Sequence, residues 1–354
     1  MRILISYPTR ALKTSKRAVE NGIINDIRKA GKTLDVEIEF INHVEYCNYF
    51  YSALELDIAH RQKETRLVKL YEHVNARLKE FDVFIVLDVN AYHPDFLEKL
   101  QCYKVFYSFD DPDGSFSRIM PYSYAFDHIF TVTPSYNSKV SMPDQFKKWG
   151  AKNASYVPLG VINSQFENLE QDFIFNRTRQ NDLVFVGSST TIERNEKLFK
   201  IKKHFKNRFV LRGQWGWKTN LRNILVNKTS YWITAQNNLP ELYLNSKIGI
   251  NIHDSDEYGF GNRRTYELPL NGVMLISDFK ATHLKDTYEL GQEAIGYENI
   301  DEAIDLIEYY LQHDDERNEI ALKGFLKAKE KYLFSNIFLS VLKEIQKQVL
   351  PNKN

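Results

Sequence analysis

The sequence predicts two α/β domains in tandem, each built on a doubly wound parallel sheet, followed by a helical C-terminal tail. Short apolar runs alternate with longer amphipathic stretches along the 354 residues. Most of the runs are continuous, as expected for strands that helices cover on both faces. The alternation pauses once and restarts, and at about 150 residues per domain the length suits two domains. Such strand–helix alternation implies right-handed crossovers.

Apolar runs predict four strands in the first half of the chain. One run alternates with polar neighbours, which is typical of a strand with one wetter face. The other three are continuous and predict buried strands of a parallel sheet. The alternating run comprises Val36, Ile38 and Phe40, and the continuous runs are Val83–Leu87, Val105–Tyr107 and Ile129–Val132.

Apolar residues at helical spacing predict helices between these strands. One stripe leads to Gly31, a residue type that commonly ends helices, and we expect the helix to stop there. A second stripe repeats regularly over about three turns. The first stripe is Val19, Ile23 and Ile27, and the second is Leu67, Leu70, Val74 and Leu78.

The alternation pauses between Val161 and Asn181, in a polar stretch rich in Asn and Gln. We therefore assign 1–165 to an N-terminal domain, 166–181 to a linker and 182–334 to a C-terminal domain. We expect the last helix, 335–354, to pack back on the N-terminal domain. The predicted strands after the pause are Leu183–Val186, Phe209–Leu211, Ile248–Ile252 and Val273–Ile276, and Ile304, Ile307 and Leu311 form a helical stripe.

The composition excludes several classes of protein. Hydrophobic residues make up 43% and charged residues 26%, values that exclude collagen-like and wholly disordered chains. The 47 Lys and Arg balance the 46 Asp and Glu, leaving a net charge of +1. The net charge therefore gives no overall electrostatic attraction to nucleic acid or to an anionic membrane. A bound anion must be held by a local site.

The cysteine count and the apolar runs predict a reduced, cytoplasmic protein. Cys47 and Cys102 cannot make a disulfide framework or a four-ligand zinc site by themselves, and we interpret them as buried, inert thiols. The first apolar run is too short for a signal peptide. No run approaches the ~18 residues that predict a membrane span. The nine histidines show no paired metal-ligand spacing, so we expect no metal.

A glycine and small hydroxyl residues follow the predicted strand 183–186. Gly187 and Ser188 open a loop that leads into a helical pattern containing Arg194. Free backbone N–H groups and a helix N-terminus suit a phosphate, and glycine lets a ligand approach the backbone. The loop is neither a P-loop nor a GxGxxG motif. A plain strand–helix turn with hydroxyl capping is an equal alternative.

A second glycine-bearing loop follows the predicted strand 248–252. A short helix then opens with Arg263 and Arg264 and carries Glu267, before Gly272 ends it. Arg264 and Glu267 share a helix face because they are three residues apart. An arginine fork can clamp a diphosphate, and a glutamate can accept hydrogen bonds from a ribose diol. The alternative is a surface ion pair, but the position after a strand favours function.

Four further residues complete the candidate site. Arg212 ends a predicted strand, and Asn251 and His253 lie at the end of another, where ligands of parallel sheets bind. Asp110 and Asp111 follow the predicted strand 105–107 and could orient or deprotonate a hydroxyl group. A solvated turn is the alternative for these acids. With two sheets, we expect the site in a cleft between the domains.

The segment Arg264-Thr-Tyr-Glu267, followed by Asn271-Gly-Val-Met-Leu-Ile-Ser-Asp278, resembles the R-x-F-E…G…L…D core of CgeB-like glycosyltransferases. The resemblance extends over roughly 103–333 and is most specific over 183–278. It implies a GT-B fold, in which two Rossmann-like domains face a central cleft. It also implies that Glu267 lies at the donor ribose, that Arg264 lies at the diphosphate, and that Gly187 matches the family glycine.

The family implies transfer of a sugar from a nucleotide-diphosphate donor, most simply a UDP-sugar, to an acceptor hydroxyl without a metal or other cofactor. The acceptor is a glycan, a protein or a small molecule, as in bacterial glycan or glycoprotein biosynthesis. Related retaining enzymes carry a second glutamate where this chain has Gly259, so the stereochemistry stays open, with retention favoured. The aromatic-rich N-terminal half suits a homodimer.

Two other functions remain open from sequence. The chain could be a non-catalytic nucleotide- or sugar-binding protein on the same fold. It could also be a nucleotide-sugar 2-epimerase, which needs the same phosphate site but no acceptor. Fold alone does not choose between these functions.

Overall fold

A computed structural model describes 1–8, 15–47, 51–87, 91–109, 111, 114–136, 140–162, 169–187, 191–213, 239–253, 261–278 and 283–350. The chain divides into two compact units. The first unit comprises Met1–Ser164 together with Phe334–Asn354, and the second comprises Gln165–Leu333. Within the described residues no helix combines the length and apolarity needed to cross a membrane.

The first unit is built on a parallel sheet with the strand order β2-β1-β3-β4-β5-β8. Its inner strand β3 is a continuous apolar run that is fully buried because both faces of the sheet are covered. The strands are β1 (Arg2–Ser6), β2 (Glu37–Ile41), β3 (Val83–Leu87), β4 (Tyr103–Ser108), β5 (His128–Thr131) and β8 (Asn153–Tyr156). A separate antiparallel pair is formed by β6 (Ser135–Tyr136) and β7 (Val140–Ser141).

Helices and short turns cover this sheet. The predicted stripe over 67–78 lies on one buried helix face, as expected. The helices are α1 (Ser15–Thr33), α2 (Ala53–Arg61), α3 (Thr65–Leu78), α4 (Pro94–Leu97) and α5 (Met142–Lys148). Single 3₁₀ or π turns are His43–Glu45, Ser115–Ile119 and Met120–Ala125.

The prediction that α1 stops at Gly31 is wrong, because the helix continues to Thr33. Gly31 is needed for close packing: a Cβ there would lie 2.6 Å from the Ile38 side chain. The residue that ends the helix is Asp35, which adopts a φ of 52°. The Val36 N–H then donates to the Gly31 carbonyl at 2.9 Å, which closes the helix end.

The C-terminal helix (Phe334–Val349) belongs to the first unit. Its apolar face joins the core formed by β1, β3 and α1. The residues of this face are all at most 3% exposed: Phe334, Ile337, Phe338, Val341, Leu342 and Ile345. The Phe334 N–H also donates to the Val161 carbonyl at 2.8 Å, which fixes the start of the helix.

The second unit has a parallel sheet with the strand order β10-β9-β11-β12-β13. The strands are β9 (Asn181–Val186), β10 (Phe209–Arg212), β11 (Ser246–Asn251), β12 (Met274–Asp278) and β13 (Ile295–Tyr297). The helices are α6 (Gln171–Phe175), α7 (Ile192–Phe205), α8 (Leu239–Leu244), α9 (Arg263–Leu270), α10 (His283–Thr287), α11 (Ile300–Gln312) and α12 (Asp314–Lys331). The strand order reverses between β9 and β11, which makes their carboxyl ends the topological switch point.

The second unit includes the stretch 166–181 that the sequence analysis assigns to a linker. Part of this stretch forms α6, and its Ile174 is fully buried beside Leu244 and Phe325. Its three apolar residues, Phe173, Ile174 and Phe175, are consecutive and define no helical period, which is why the sequence did not indicate this helix.

Both cysteines are free thiols. Cys47 is buried, and Cys102 is half-buried. Burial raises the pKa of Cys47 to about 12 and that of Cys102 to about 11. Neither thiol is therefore activated as a thiolate, in agreement with the sequence interpretation.

Candidate functional site

The switch point of the second sheet brings together residues that are far apart in the sequence. β9 ends at Val186 and is followed by Gly187, while β11 ends at Asn251. In open parallel sheets, ligands bind outside the carboxyl ends of the strands at this point. The loops that follow both strands, 188–190 and 254–260, lie outside the described residues, and so does Ser188.

Helix α9 carries the Arg and Glu candidates to this edge of the sheet. It spans Arg263–Leu270, and Gly272, with a φ of 65°, terminates it as predicted. The Gly272 and Val273 N–H groups donate to the carbonyls of Pro269 and Leu268 at 2.8 and 3.1 Å, which is a Schellman ending. The chain then enters β12 directly, so the helix position is tied to the sheet.

Arg264 connects the ends of the two strands at the switch point. Its Nη1 donates to the Val186 carbonyl at 2.8 Å, and its Nε donates to Asn251 Oδ1 at 2.9 Å. Its guanidinium carbon lies 4.9 Å from the centroid of the Phe185 ring. These contacts hold a half-buried cation at the end of the central strands, where an anionic ligand would sit.

Gly187 provides the space that the Arg264 guanidinium occupies. A Cβ at position 187 would lie 2.5 Å from Arg264 Nη1. The next strand approaches just as closely, because a Cβ at Gly213 would lie 1.9 Å from the Gly187 carbonyl oxygen. Two glycines on neighbouring strands therefore let backbone and arginine pack at the same point.

Asn251 organises the start of α9 around itself. Its Oδ1 accepts from Asn262 Nδ2 at 2.9 Å as well as from Arg264, and its Nδ2 donates to Thr265 Oγ1 at 3.1 Å. Its backbone carbonyl accepts from the Tyr297 hydroxyl at 3.0 Å. Asn251 is predicted to contact the sugar donor. In the structure its side chain bonds to several residues at the start of α9 and orients Arg264.

Glu267 lies one turn after Arg264 and is only 5% exposed. Burial raises the pKa of its carboxyl group, and the nearby charges of Arg263 and Arg264 offset this only in part. The Tyr243 hydroxyl donates to Glu267 Oε2 at 3.4 Å. A buried carboxylate beside two arginines is a strong hydrogen-bond acceptor, which is the property that ribose recognition requires.

His253 pairs with Asp278 at the end of β12. The distance between His253 Nδ1 and Asp278 Oδ1 is 2.5 Å, and the His253 backbone N–H donates to Asp278 Oδ2 at 2.9 Å. Burial alone would raise the pKa of Asp278, but the charge and hydrogen bonds of His253 outweigh it and lower the pKa. The carboxylate therefore fixes the orientation of the imidazole ring.

The other predicted arginines occupy different environments. Arg194 is buried, its Nη2 donates to the Ile252 carbonyl at 2.7 Å, and its guanidinium carbon lies 5.3 Å from the Phe185 ring centroid. Arg212 is half-buried and uses its backbone carbonyl to accept from the Gly187 N–H at 3.0 Å. Arg263 is exposed. Arg194 supports the strand end, and Arg263 leaves its charge at the surface.

Asp111 lies in the first unit, after β4. It is 3% exposed, its carboxylate accepts from the Ser115 hydroxyl, and its carbonyl accepts from Thr133 Oγ1 at 2.8 Å. The neighbouring candidate Asp110 lies outside the described residues. The carboxyl edge of the first sheet thus carries a buried acid that is fixed by hydroxyl groups.

Sequence reasoning assigned no role to three residues of the second-unit site, although Asp278 ends the motif that resembles the CgeB-like core. Tyr243, Phe185 and Asp278 support Glu267, Arg264 and His253 respectively. The sequence separations within these pairs range from 24 to 79 residues, so local spacing does not reveal them. Asp278 carried one usable signal, because it ends a strand next to the switch point.

The C-terminal part of the chain matches a protein-family model. Residues 193–342 match the model described as glycosyl transferase-like. The match includes α7, α9 and the strands β10 to β13. It therefore contains most of the site described above. No curated protein matches the chain significantly.

Solved structures share the fold over nearly the whole chain. HepE from Anabaena in complex with UDP-glucose is 13% identical, with a TM-score of 0.61, over 98% of this chain and 100% of that one. Sucrose-phosphate synthase from Thermosynechococcus elongatus is 10% identical, with a TM-score of 0.61, over 99% and 100%. A putative UDP-N-acetylglucosamine 2-epimerase from Listeria monocytogenes is 10% identical, with a TM-score of 0.57, over 99% and 97%.

The two Rossmann-like units and the helical C-terminal region make this a GT-B fold, as predicted from the sequence. The glycosyl transferase-like model, matched on top of this fold, supports an enzyme of the glycosyltransferase class. The narrower CgeB-like resemblance stays a prediction.

Proposed function

We propose that the protein transfers a sugar from a nucleotide-diphosphate donor, specifically a UDP-sugar, to an acceptor hydroxyl. The observation that carries the proposal is the Arg264 guanidinium, held by Val186 and Asn251 at the carboxyl ends of β9 and β11. A planar cation at this position suits a diphosphate. UDP-glucose bound to HepE, which shares the fold, favours the uridine nucleotide.

The donor diphosphate would lie against Gly187, Ser188 and Arg264. Gly187 keeps the backbone accessible, and Thr191 caps α7 so that its N-terminus opens next to the strand end. Five further residues would complete this donor site, partly by holding Gly187, Ser188 and Arg264 in place: Arg194, Arg212, Asn251, His253 and Arg263. Because the cations and the helix dipole offset the charge on departing UDP, transfer would need no metal.

Glu267 would accept hydrogen bonds from the ribose hydroxyls. Its burial supports the proposal, because a buried acceptor discriminates strongly against ligands that lack the matching donor. The exposed Arg263 charge beside it would help to keep the carboxyl group ionised in the complex. A ligand that lacks the 2′- and 3′-hydroxyls should therefore bind less well than UDP.

The chemical step would join the acceptor oxygen to the anomeric carbon of the sugar. The bond from that carbon to the β-phosphate oxygen breaks, and UDP leaves with the electron pair. Asp111 or Asp110 would orient the acceptor hydroxyl or take its proton. We also propose retention of the anomeric configuration, which NMR of the first-formed product would test.

Incubation with UDP-glucose in the presence of EDTA tests the proposed reaction. Free UDP with glucose, or with a glucosylated acceptor, supports a transferase, whereas a UDP-linked isomer without UDP release would indicate an epimerase. The likeness to the Listeria epimerase makes that second outcome worth measuring. Binding of UDP without turnover, when acceptors of several classes are supplied, would instead indicate a binding protein.

The matched variants for this assay are Arg264→Lys and Arg177→Lys. Arg177 lies in the same unit but pairs at the surface with Glu241 at 2.8 Å. Arg264→Lys should reduce UDP release strongly, because a lysine cannot make both hydrogen bonds of the fork. Arg177→Lys should leave it unchanged. Equal activity of the two variants would refute the role of Arg264.

A further inference from the structure

A cluster of histidines and aspartates lies in the first unit, apart from every residue assigned to donor binding. His60 is in α2, while His93 immediately precedes α4 and Asp95 is in its first turn. The two imidazole rings stack with their centroids 4.0 Å apart and an interplanar angle of 5°. One ligand atom from each of the three residues lies within 4.8 Å of the other two.

The two separations between histidine nitrogens and Asp95 oxygens approach the edge of a tetrahedral metal site. His60 Nε2 lies 3.7 Å from Asp95 Oδ2, and His93 Nδ1 lies 3.7 Å from Asp95 Oδ1. Zinc bonds of about 2.0–2.1 Å give edges of roughly 3.4 Å between tetrahedral ligands. Because the two ring planes are nearly parallel, one imidazole must rotate out of the stack for both nitrogens to reach one ion. The histidines are partly exposed, at 25% and 12%, which leaves room for this rotation.

A fourth residue, Asp57, stands behind His93. The distance from His93 Nε2 to Asp57 Oδ1 is 3.4 Å, so the carboxylate can accept a hydrogen bond from Nε2–H, which leaves Nδ1 unprotonated and facing Asp95. Asp57 is itself held by Arg61, whose Nε donates to it at 2.8 Å. A carboxylate behind a histidine is the common outer arrangement of metal-binding imidazoles.

The cluster borders a cavity of about 550 Å³ in the first unit. Besides the cluster residues, Pro121, Tyr122 and Tyr124 line it. A water molecule or a small ligand can therefore reach the cluster and supply a fourth donor. The binding site would be open on one side, unlike a structural site closed by four protein ligands.

We propose that His60, His93 and Asp95 form a binding site for a divalent transition-metal ion of the zinc type, with Asp57 orienting His93 and water as the fourth ligand. Two imidazoles and one carboxylate suit zinc better than magnesium or calcium, which prefer oxygen ligands. The ion links α2 to α4. On binding, it replaces the 3.2 Å hydrogen bond from the Asp95 N–H to His93 Nδ1.

The sequence carries only a weak signal for this site. His60 and His93 are 33 positions apart, and only His93 and Asp95 are close in the chain. The fold brings them together because α2 and α4 cover the same region of the first sheet. The site is independent of the proposed transfer reaction, since its ligands and the donor residues belong to different units.

Titration of the tag-free, EDTA-treated full chain with Zn²⁺ and Co²⁺ tests the proposal. Calorimetry should show one Zn²⁺ per chain, and Co²⁺ should give the visible absorption of a tetrahedral site. His60→Gln and Asp95→Asn should abolish both signals, while Asp57→Asn should weaken affinity about 10- to 100-fold. The matched control is His204→Gln, which removes a surface histidine paired with Glu308 in the other unit.

Two outcomes would overturn the proposal. One is the absence of any stoichiometric zinc binding by the folded wild-type chain. The other is zinc binding that His60→Gln and Asp95→Asn leave unchanged, which would locate the ion elsewhere. Circular dichroism of each metal-free variant confirms that the chain is folded before titration, so that loss of binding reports on the ligands alone.

Discussion

The Arg264 guanidinium lies so close to Gly187 that it fits only because position 187 has no side chain. A Cβ at position 187 would lie 2.5 Å from Arg264 Nη1, which is the far end of a flexible side chain. The guanidinium can move away, but it then leaves the Val186 carbonyl, and the Phe185 ring, 3.1 Å from the same Cβ, must shift slightly. The space at this glycine therefore serves the site more than the fold.

We predict that Gly187→Ala reduces affinity for UDP about tenfold or more, the loss of one charge-assisted interaction, and changes thermal stability little. Calorimetric titration with UDP and a thermal melt measure the two effects. In an Arg264→Ala background the same glycine substitution should cost less UDP affinity than in wild type, because the displaced group is already absent and only the approach of the diphosphate to the backbone is affected. Additive effects of the two substitutions would show that Gly187 acts independently of Arg264.

The Glu267 carboxyl group makes the folded state less stable at neutral pH than a neutral side chain would. Burial raises its pKa, so the folded state holds the proton more tightly than the unfolded state. The folded protein is therefore most favoured below the unfolded pKa of about 4.3, and this advantage disappears as the pH rises through the folded pKa. A buried acid with this cost is typical of a functional residue.

We predict that Glu267→Gln is at least as stable as wild type near pH 7.5 and that any advantage shrinks near pH 4. It should nevertheless bind UDP more weakly. Urea unfolding at the two pH values and UDP titration measure these effects, with the surface variant Glu241→Gln as the control. A variant that is clearly less stable at the higher pH would assign Glu267 a structural role instead.

At the scale of elements, the half-buried Arg179 holds together the helix ends that position α9. Its guanidinium donates to the carbonyls of Ile174, Tyr243, Ser246 and Asn271 at 2.6–3.3 Å. These carbonyls come from α6, α8, the start of β11 and the end of α9. Burial lowers the pKa of Arg179 to about 10. One side chain thus satisfies backbone groups that the helix ends leave open.

We predict that Arg179→Met lowers the free energy of unfolding by at least about 3 kcal/mol, because it leaves several buried carbonyls without their donor. Arg177→Met, at the exposed pair with Glu241, should cost about 0–1 kcal/mol. Urea denaturation of the two variants makes the comparison. Similar small losses in both would mean that water or other groups replace the Arg179 contacts.

Elements with a long and regular pattern could be predicted from the sequence. The runs 83–87 and 183–186 became buried strands, and the stripe over 67–78 became a helix. The strand Ile295–Tyr297 was missed because three residues define no period. The end of α1 was misplaced because glycine was interpreted as a stop when tertiary packing against Ile38 required it.

The candidate site could be predicted only where its residues follow a strand end or share a short helix. Arg264 and Glu267 met that condition. Tyr243, His60 and Asp57 did not, because their partners are set by the fold and not by spacing along the chain. Asp278 ended a recognisable strand, but its pairing with His253 depends on the fold and not on spacing along the chain.

At the scale of the whole molecule, the last helix completes the core of the first unit. The C-terminal helix fills one face of that unit with six nearly inaccessible side chains, and the 0% exposed Phe338 lies at the centre of the group. The first unit is therefore discontinuous in sequence, and a chain ended at Leu333 would leave this apolar face of the sheet and α1 uncovered.

We predict that Phe338→Ala lowers the free energy of unfolding by about 3–5 kcal/mol, the usual cost of emptying a buried aromatic site. Lys343→Ala, on the exposed face of the same helix, should change it by less than about 0.5 kcal/mol. Chemical denaturation, followed by fluorescence, compares them. A small effect of Phe338→Ala would mean that the helix contributes little to the first unit.

The central claim is that Arg264 and Glu267 hold the diphosphate and ribose of a UDP-sugar. Calorimetric titration of UDP in EDTA, into wild type, Arg264→Ala, Glu267→Gln and the surface control Arg177→Lys, tests it most directly. We expect binding by wild type and the control and a loss of about tenfold or more in each site variant, roughly 1.4 kcal/mol. Equal UDP affinity in all four proteins, or no binding by wild type, would contradict the claim.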